Sequence, residues 1–387
     1  MNGAFVIAAK RTAIGRIGGL HRRRDLAALA GPLLAALLAE TGIEGGDVDE
    51  VILGNAVGGG GNPARLVALA AGLPERVPGI SIDRQCASGL DAVLIGARLI
   101  GSGVARILIA GGAESPSTAP WRVAKPASLY SGLPRFFDQA QFTPEAHNDP
   151  TMVEAAEAVA RDFCITRAAQ DDFALRSHRL AAAAAEAGEF AEEIVPLGRE
   201  AAEARDEGVR PNLTQAVLAR MPPLLPGGSV TAGNTCRIND GAALALLVAE
   251  DVWRALGAPR ALRVIAGAAA GVKQLHLGTG PVPAMQRLMA LVPGFAPGAV
   301  DAVEFNEAFA SQVLASLALL EIPFDKVNTG GGALAFGHPY GASGAVLVTR
   351  LFTRLVRNRQ QTEGRRGLAL VGAAGGLGVA ALFEATG

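Results

Sequence analysis

The chain repeats itself, and this constrains its fold more than any other feature. Phe5-Val-Ile-Ala-Ala9 recurs as Arg263-Val-Ile-Ala-Gly267. Val48-Asp-Glu-Val51, followed by Gly54-Asn-Ala-Val57, recurs as Val300-Asp-Ala-Val303, followed by Asn306-Glu-Ala-Phe309. Cys86-Ala-Ser-Gly89 is echoed by Gly341-Ala-Ser-Gly344, and Ala105-Arg-Ile-Leu-Ile-Ala-Gly-Gly-Ala113 by Arg366-Gly-Leu-Ala-Leu-Val-Gly-Ala-Ala374. Each pair is short, but all keep one order at a nearly constant offset. That is the mark of two copies of one domain.

Each copy alternates strand and helix signals. The runs Val51-Ile-Leu53, Ile80-Ser-Ile-Asp83 and Ile107-Leu-Ile-Ala110 carry little charge, as strands buried on both faces do. Between them, Asn62 caps a helix with Pro63 at its first position and Gly72 as its stop. Asp25 opens another helix, in which Pro32 should impose a kink. This alternation predicts an α/β protein with a mostly parallel, helix-covered sheet in each half. The first half spans 1–250 and the second 251–387. The first includes an unmatched excursion at about 115–228, with one strong helix from Thr166 to Gly188. Such an insertion is suited to substrate contacts. Its apolar stretch 129–142 fits either an assembly loop or a lid over a pocket.

The 387 residues are half hydrophobic and 18% charged, enough for a large core and too apolar for disorder. Net charge is -1, and Arg22-Arg23-Arg24 reads as a solvated turn or ligand rim, so no nucleic-acid partner is expected. Three cysteines without paired spacing argue against a disulfide framework or a metal site and for a reducing compartment. The first sixteen residues lack an apolar run long enough for a signal peptide, and no stretch approaches the roughly 20 apolar residues of a membrane span. A soluble, cytoplasmic protein without a membrane partner is the expectation.

Cys86 falls at a strand-to-helix junction, where helix N–H groups should lower a thiol pKa. By the duplication, the turn Gly337-His338-Pro339-Tyr340-Gly341 corresponds to the one bearing Cys86. Two such turns can face each other and form a Cys–His nucleophile and base. Asn306 follows a strand and, taken alone, reads best as an N-cap. Cys164 reads as core beside a helix, and Cys236 lies in a Gly/Asn-rich loop. The glycine-rich 372–378 run has too little chain after it for a dinucleotide site and suits an oxyanion-binding turn.

Together, Asp83-Arg-Gln-Cys86-Ala-Ser-Gly-Leu-Asp-Ala92, Thr231-Ala-Gly-Asn234, Asn239-Asp-Gly241, Asn306-Glu-Ala-Phe309 and Gly330-Gly-Gly-Ala-Leu-Ala-Phe-Gly-His338-Pro-Tyr-Gly-Ala-Ser-Gly344 resemble the thiolase family over essentially the whole chain. The resemblance implies a thiolase-like α/β fold, with two mixed five-stranded halves plus an inserted loop domain, assembled as homodimers or homotetramers. It implies acyl-CoA substrates, coenzyme A as co-substrate and no permanently bound cofactor. It gives Cys86 the role of acyl carrier, His338 that of its activator and Asn306 that of holding a water at the substrate carbonyl. The backbone N–H groups of Cys86 and Ala374 would form a second oxyanion hole. Arg210, Ala232, Gly233, Cys236, Leu277, Ala308 and Phe309 would lie along the CoA and acyl path. One departure stands out. Gly372 occupies the place of the family's C-terminal acid/base cysteine, and glycine has no proton to exchange. The resemblance therefore implies thiolysis of 3-oxoacyl-CoA or Claisen condensation of acetyl-CoA through acyl-Cys86. The alternatives are an acyltransferase or thioesterase that forms acyl-Cys86 without efficient carbon–carbon chemistry, or an inert scaffold subunit.

Overall fold

The computed structural model describes residues 3–126, 128, 130, 132–137, 139–144, 149–198, 201–357 and 363–387. Its first half contains β1 (Ala4–Arg11), β2 (Gly15–Arg16), α1 (Leu26–Thr41), β3 (Glu50–Gly54), α2 (Pro63–Ala70), β4 (Gly79–Ile82), α3 (Ser88–Gly101) and β5 (Ile107–Glu114). The excursion holds β6 (Arg122–Ala124), β7 (Arg135–Phe137), α4 (Met152–Asp162), α5 (Arg167–Glu186) and α6 (Gln215–Ala219). The chain then returns through β8 (Asn239–Ala249) and α7 (Glu250–Ala255). The second half contains β9 (Ala261–Gly271), α8 (Pro281–Leu291), β10 (Ala302–Phe305), α9 (Ala310–Leu320), α10 (Ala333–Phe336), α11 (Tyr340–Phe352), β11 (Arg366–Ala373) and β12 (Leu377–Thr386).

The duplication is visible in the pairing. β3 lies parallel to β5, and β10 parallel to β11; β8 is antiparallel to β1 and β5, just as β12 is to β9 and β11. A short antiparallel contact, Phe5 with Arg263 and Val6 with Leu262, joins the halves into one sheet of order β4-β3-β5-β8-β1-β9-β12-β11-β10. The fifth strand of the second half is reduced to a single parallel bridge between Val303 and Val327. Its work is taken over by the Asn328 side chain, which accepts from the Phe305 N–H at 2.8 Å and donates to the Phe305 carbonyl at 2.9 Å.

Strand alternation sorts the core into layers. On β8, Leu244, Leu246 and Val248 pack in the outer cluster with α1 and α2, while Ala245 and Leu247 face α3 and α11. On β11, Leu368 and Leu370 face α8 and α9, while Ala369 and Val371 face the central pair. Helices α3 and α11 thus lie between the two halves and pack on strands of both. The Ala-Ser-Gly echo lies at their crossing. A Cβ on Gly89 would sit 2.7 Å from the Gly341 carbonyl oxygen and 2.9 Å from the Ala345 nitrogen, and one on Gly344 would overlap the Leu90 backbone. Only glycine permits this approach, and it brings the N-terminal ends of both helices together.

The helix signals form as read. Asp25 and Asn62 cap α1 and α2 through their side chains, Pro63 opens α2, and α1 runs on past Pro32. Of the stretch 129–142, Leu129, Ser131 and Asp138 lie outside the described residues; its far end, Phe142, lies against Gly375. Cys164 is corrected. It is exposed, in the turn between α4 and α5, with φ of +56°. A left-handed turn residue points its side chain off the helix face, not into the core.

Candidate active site

A knot of short hydrogen bonds builds the Cys86 turn. The Asp83 carboxylate accepts from the Gln85 N–H at 2.7 Å, while Ser88 Oγ accepts from Arg84 N–H at 2.7 Å and donates to the Gln85 carbonyl at 2.6 Å. These hold Gln85 at φ +52° and turn Cys86 onto the head of α3. The Cys86 sulfur receives the backbone N–H groups of Ala374 and of Cys86 itself. Burial nonetheless outweighs them, pushing the thiol up to about 12, with Glu114 and Asp83 adding in the same direction. The lowered pKa expected from the helix start is therefore corrected, because desolvation of a thiolate exceeds what two amide dipoles return.

The opposing turn presents His338. Its N–H donates to the Arg237 carbonyl at 3.0 Å and lies 3.2 Å from Asn239 Oδ1, and Gly337, at φ +112°, has Asn239 where a side chain would stand. Nδ1 lies 2.5 Å from Ser343 Oγ, while Nε2 is buried with no hydrogen-bond partner among the described residues. Burial lowers the imidazole to about 4 and keeps it neutral. With Nδ1–H donating to Ser343, Nε2 offers a free lone pair. Cys86 and His338 are thus a neutral thiol and a neutral imidazole on two apposed helix starts.

Asn306 is the second orphan. Its Nδ2 is buried without a hydrogen-bond partner among the described residues, and Asn306 lines a small cavity with Gly337, Pro339 and Ser343. It is not the N-cap expected, since α9 begins at Ala310 after Phe309 with no side-chain cap. The neighbouring Glu307 locks this segment, accepting from Ser177 Oγ at 2.6 Å, Asn328 Nδ2 at 2.7 Å and the Leu334 N–H at 3.1 Å.

Ala374 begins the turn between β11 and β12, where Gly375 and Gly376 both take positive φ, and this curl brings its N–H to the Cys86 sulfur. A Cβ on Gly372 would stand 2.5 Å from Gln312 Nε2 and 3.4 Å from the carbonyl oxygens of Leu277 and Gly278. Leu277 and Gly372 are therefore neighbours, with the Gln312 amide beside the place of a side chain at 372. Cys236 is tied to the Asn306–Phe309 segment by its N–H to the Ala308 carbonyl at 3.0 Å, and Thr235 bridges Phe309. Burial raises the Cys236 thiol, and a charge on Cys86 raises it further. Arg210, Ala232 and Gly233 line one cleft with His178, Arg237 and Gly337, so it runs up to the His338 turn.

Sequence reasoning passed over three residues here. Ser343, the counterpart of Ser88, was available from the duplication. Glu114, a lone acid ending an apolar strand, accepts from the Ala56, Val57 and Gly341 N–H groups at 2.9, 3.0 and 2.9 Å, and burial raises it to about 7. Tyr340 follows the histidine at one residue's remove, with its ring edge-on to the His338 ring at 5.4 Å.

Comparison with known proteins agrees with this architecture. The family description "Thiolase, N-terminal domain" matches residues 4–251, and "Thiolase, C-terminal domain" matches 259–385. The chain belongs to the thiolase family. This thiolase is 46% identical over 386 residues to "Putative acetyl-CoA C-acetyltransferase VraB" of Staphylococcus epidermidis (strain ATCC 12228 / FDA PCI 1200), covering 99% of each chain. It is 41% identical over 385 residues to the protein of the same name from Staphylococcus aureus (strain COL), again over 99% of each. The crystal structure of the Bacillus anthracis acetyl-CoA acetyltransferase superposes with a TM-score of 0.91 at 36% identity, covering 100% of this thiolase and 99% of that chain. The thiolase is an acyltransferase with the α/β architecture of its family. Among its described residues no helix is long and apolar enough to cross a membrane.

Proposed function

We propose that this thiolase carries acyl groups on Cys86 between coenzyme A thioesters, cleaving 3-oxoacyl-CoA with CoA and running the reverse condensation of acetyl-CoA. The observation that carries this reading is the convergence at one sulfur: two backbone N–H groups reach Cys86, while the apposed turn holds a neutral histidine whose Nε2 is unclaimed. In it, His338 takes the Cys86 proton, and the sulfur attacks the substrate carbonyl. The Cys86 and Ala374 N–H groups receive the oxyanion, and removal of one such donor typically costs ~10²–10³ in rate. Asn306, through a water, and His338 hold the second carbonyl. The nucleotide of CoA lies near Arg210, and the pantetheine runs along Ala232, Gly233 and Cys236 toward Ala308 and Phe309, with Leu277 at the acyl end. Gly372 favours a second reading, acyl transfer without carbon–carbon chemistry, since no cysteine stands there to move the α-proton. Assembly as a homo-oligomer and work in the cytoplasm belong to the same proposal.

The test is to mix the protein with acetoacetyl-CoA and CoA, follow loss of the enolate absorbance, and map adducts by peptide mass. Thiolysis with an acyl group on Cys86, absent in Cys86→Ala, is expected. An adduct without thiolysis selects the second reading, and no adduct with any short acyl-CoA refutes both.

A further inference from the structure

The site contains a proton donor that the reading above leaves without work. Tyr340 opens α11 two residues after His338, and its backbone has φ of +24°. An aromatic side chain at positive φ is strained, at a typical cost of about 1–3 kcal/mol, and such strain persists where the surroundings impose it. Glycine at 341 follows immediately, yet the turn places tyrosine in the strained position. The phenol ring stands edge-on to the imidazole at 5.4 Å. The residue is half-buried, and its hydroxyl makes no hydrogen bond to the described residues. Charges on Cys86, Cys236 and Glu114 all reach it, and with burial, the largest influence, they hold the phenol protonated. A neutral O–H, without a hydrogen-bond partner among the described residues, is thus held next to the His338 ring and within electrostatic reach of both site thiols. Across the site, the place of the family's acid/base cysteine is Gly372, with Gln312 beside it and no titratable group among the atoms nearest to that position.

We propose that the Tyr340 phenol is the general acid of carbon–carbon cleavage in this thiolase, replacing the proton donor that Gly372 lacks. The inference rests on the acyl-Cys86 reading. His338 first takes the proton of Cys86, and the thiolate adds to the 3-oxo carbonyl. The C2–C3 bond then breaks, leaving acyl-Cys86 and the electron pair on C2 as a thioester enolate. Tyr340 gives its proton to C2 and releases acetyl-CoA. The phenolate next takes the thiol proton of incoming CoA. The CoA thiolate attacks acyl-Cys86, and the expelled Cys86 thiolate recovers its proton from His338. Every proton is returned, and no oxidant or metal is consumed. A thioester enolate is far more basic than a phenolate, so a phenol that stays protonated is still strong enough for this task. Cys236 is the competing donor, but its segment is committed through its own N–H to Ala308 on the proposed CoA path.

Tyr340→Phe keeps the ring and removes only the O–H. Thiolysis of acetoacetyl-CoA should fall by about 10² or more, within the usual range for general acid–base catalysis. Formation of acyl-Cys86 from p-nitrophenyl acetate, whose leaving group departs without a proton and which moves no α-proton, should persist, and a merely structural role would not make that split. If Tyr340→Phe thiolyses like the wild type, the inference is wrong. It is equally wrong if Cys236→Ala loses thiolysis while Tyr340→Phe keeps it. It is also wrong if the wild type acylates Cys86 without thiolysis. Failure of the wild type to acylate at all overturns the acyl-Cys86 reading itself.

Discussion

Restoring a cysteine at position 372 tests the division of labour most directly. A Cβ there meets one flexible group, Gln312 Nε2 at 2.5 Å, while the Leu277 and Gly278 carbonyl oxygens at 3.4 Å are in ordinary contact. Gln312 must withdraw by about 1 Å, and an off-rotamer side chain costs of order 0.5–1.5 kcal/mol. Replacing a strand glycine whose φ is not positive removes unfolded-state freedom and returns about 0.4–1 kcal/mol. The two nearly cancel, so Gly372→Cys should fold with its stability changed by about 1 kcal/mol at most. The new thiol would stand where Leu277 and Gly372 meet, at the proposed acyl end of the site. In the Tyr340→Phe background it should regain thiolysis by ~10²–10⁴. In the wild-type background the gain should be clearly smaller, because the phenol already fills the role and two groups sharing one step are not additive. The assay is acetoacetyl-CoA thiolysis of the four-member cycle, with thermal melts of each protein. Equal gains in both backgrounds would refute a shared role for the two residues. No gain in either, with all four proteins folded, would refute the placement of position 372 at the reacting carbon.

The same geometry fixes other outcomes. His338 is depressed to about 4, so the folded state binds fewer protons than the unfolded between there and the usual 6.5. Stability should be full above that window and fall as pH drops through it, by roughly 3 kcal/mol at the extreme; melts at pH 7 and pH 5 should diverge more for the wild type than for His338→Gln. Glu114→Gln sets an NH2 among four donors, the Ala56, Val57 and Gly341 N–H groups and Asn55 Nδ2. It should cost about 1–3 kcal/mol in a chemical denaturation and slow acylation by loosening the Gly341 turn. Gly89→Ala drives a methyl into backbone and should destabilise by about 1–3 kcal/mol with loss of Cys86 acylation.

Much of this was legible from residue order. The four echoes map onto matched strands and helices, and of the three low-charge runs β3 and β5 are buried on both faces, whereas β4 is corrected: it ends the sheet, and its Ile80 is exposed. Cys86 and His338 were found because the duplication sets their turns in correspondence. Tyr340 went unread because a tyrosine in a glycine-rich turn has no pattern of its own. Its significance lies in the imidazole beside it and the two thiols that reach it. The Asn306 cap failed for a related reason, since nothing local reveals that its amide faces a cavity instead of an N–H.

What the sequence decided alone was what repetition and periodicity encode: two copies, α/β layering, helix caps and the chemical types available at each turn. Tertiary structure alone decided protonation and proximity. The thiol pKa at Cys86 rises although its helix start predicts a fall, because solvent exclusion is a property of everything packed around a group. Likewise, the missing fifth strand is repaired by Asn328, and the gap at Gly372 faces Gln312, because hydrogen bonds and contacts form between residues the chain separates widely.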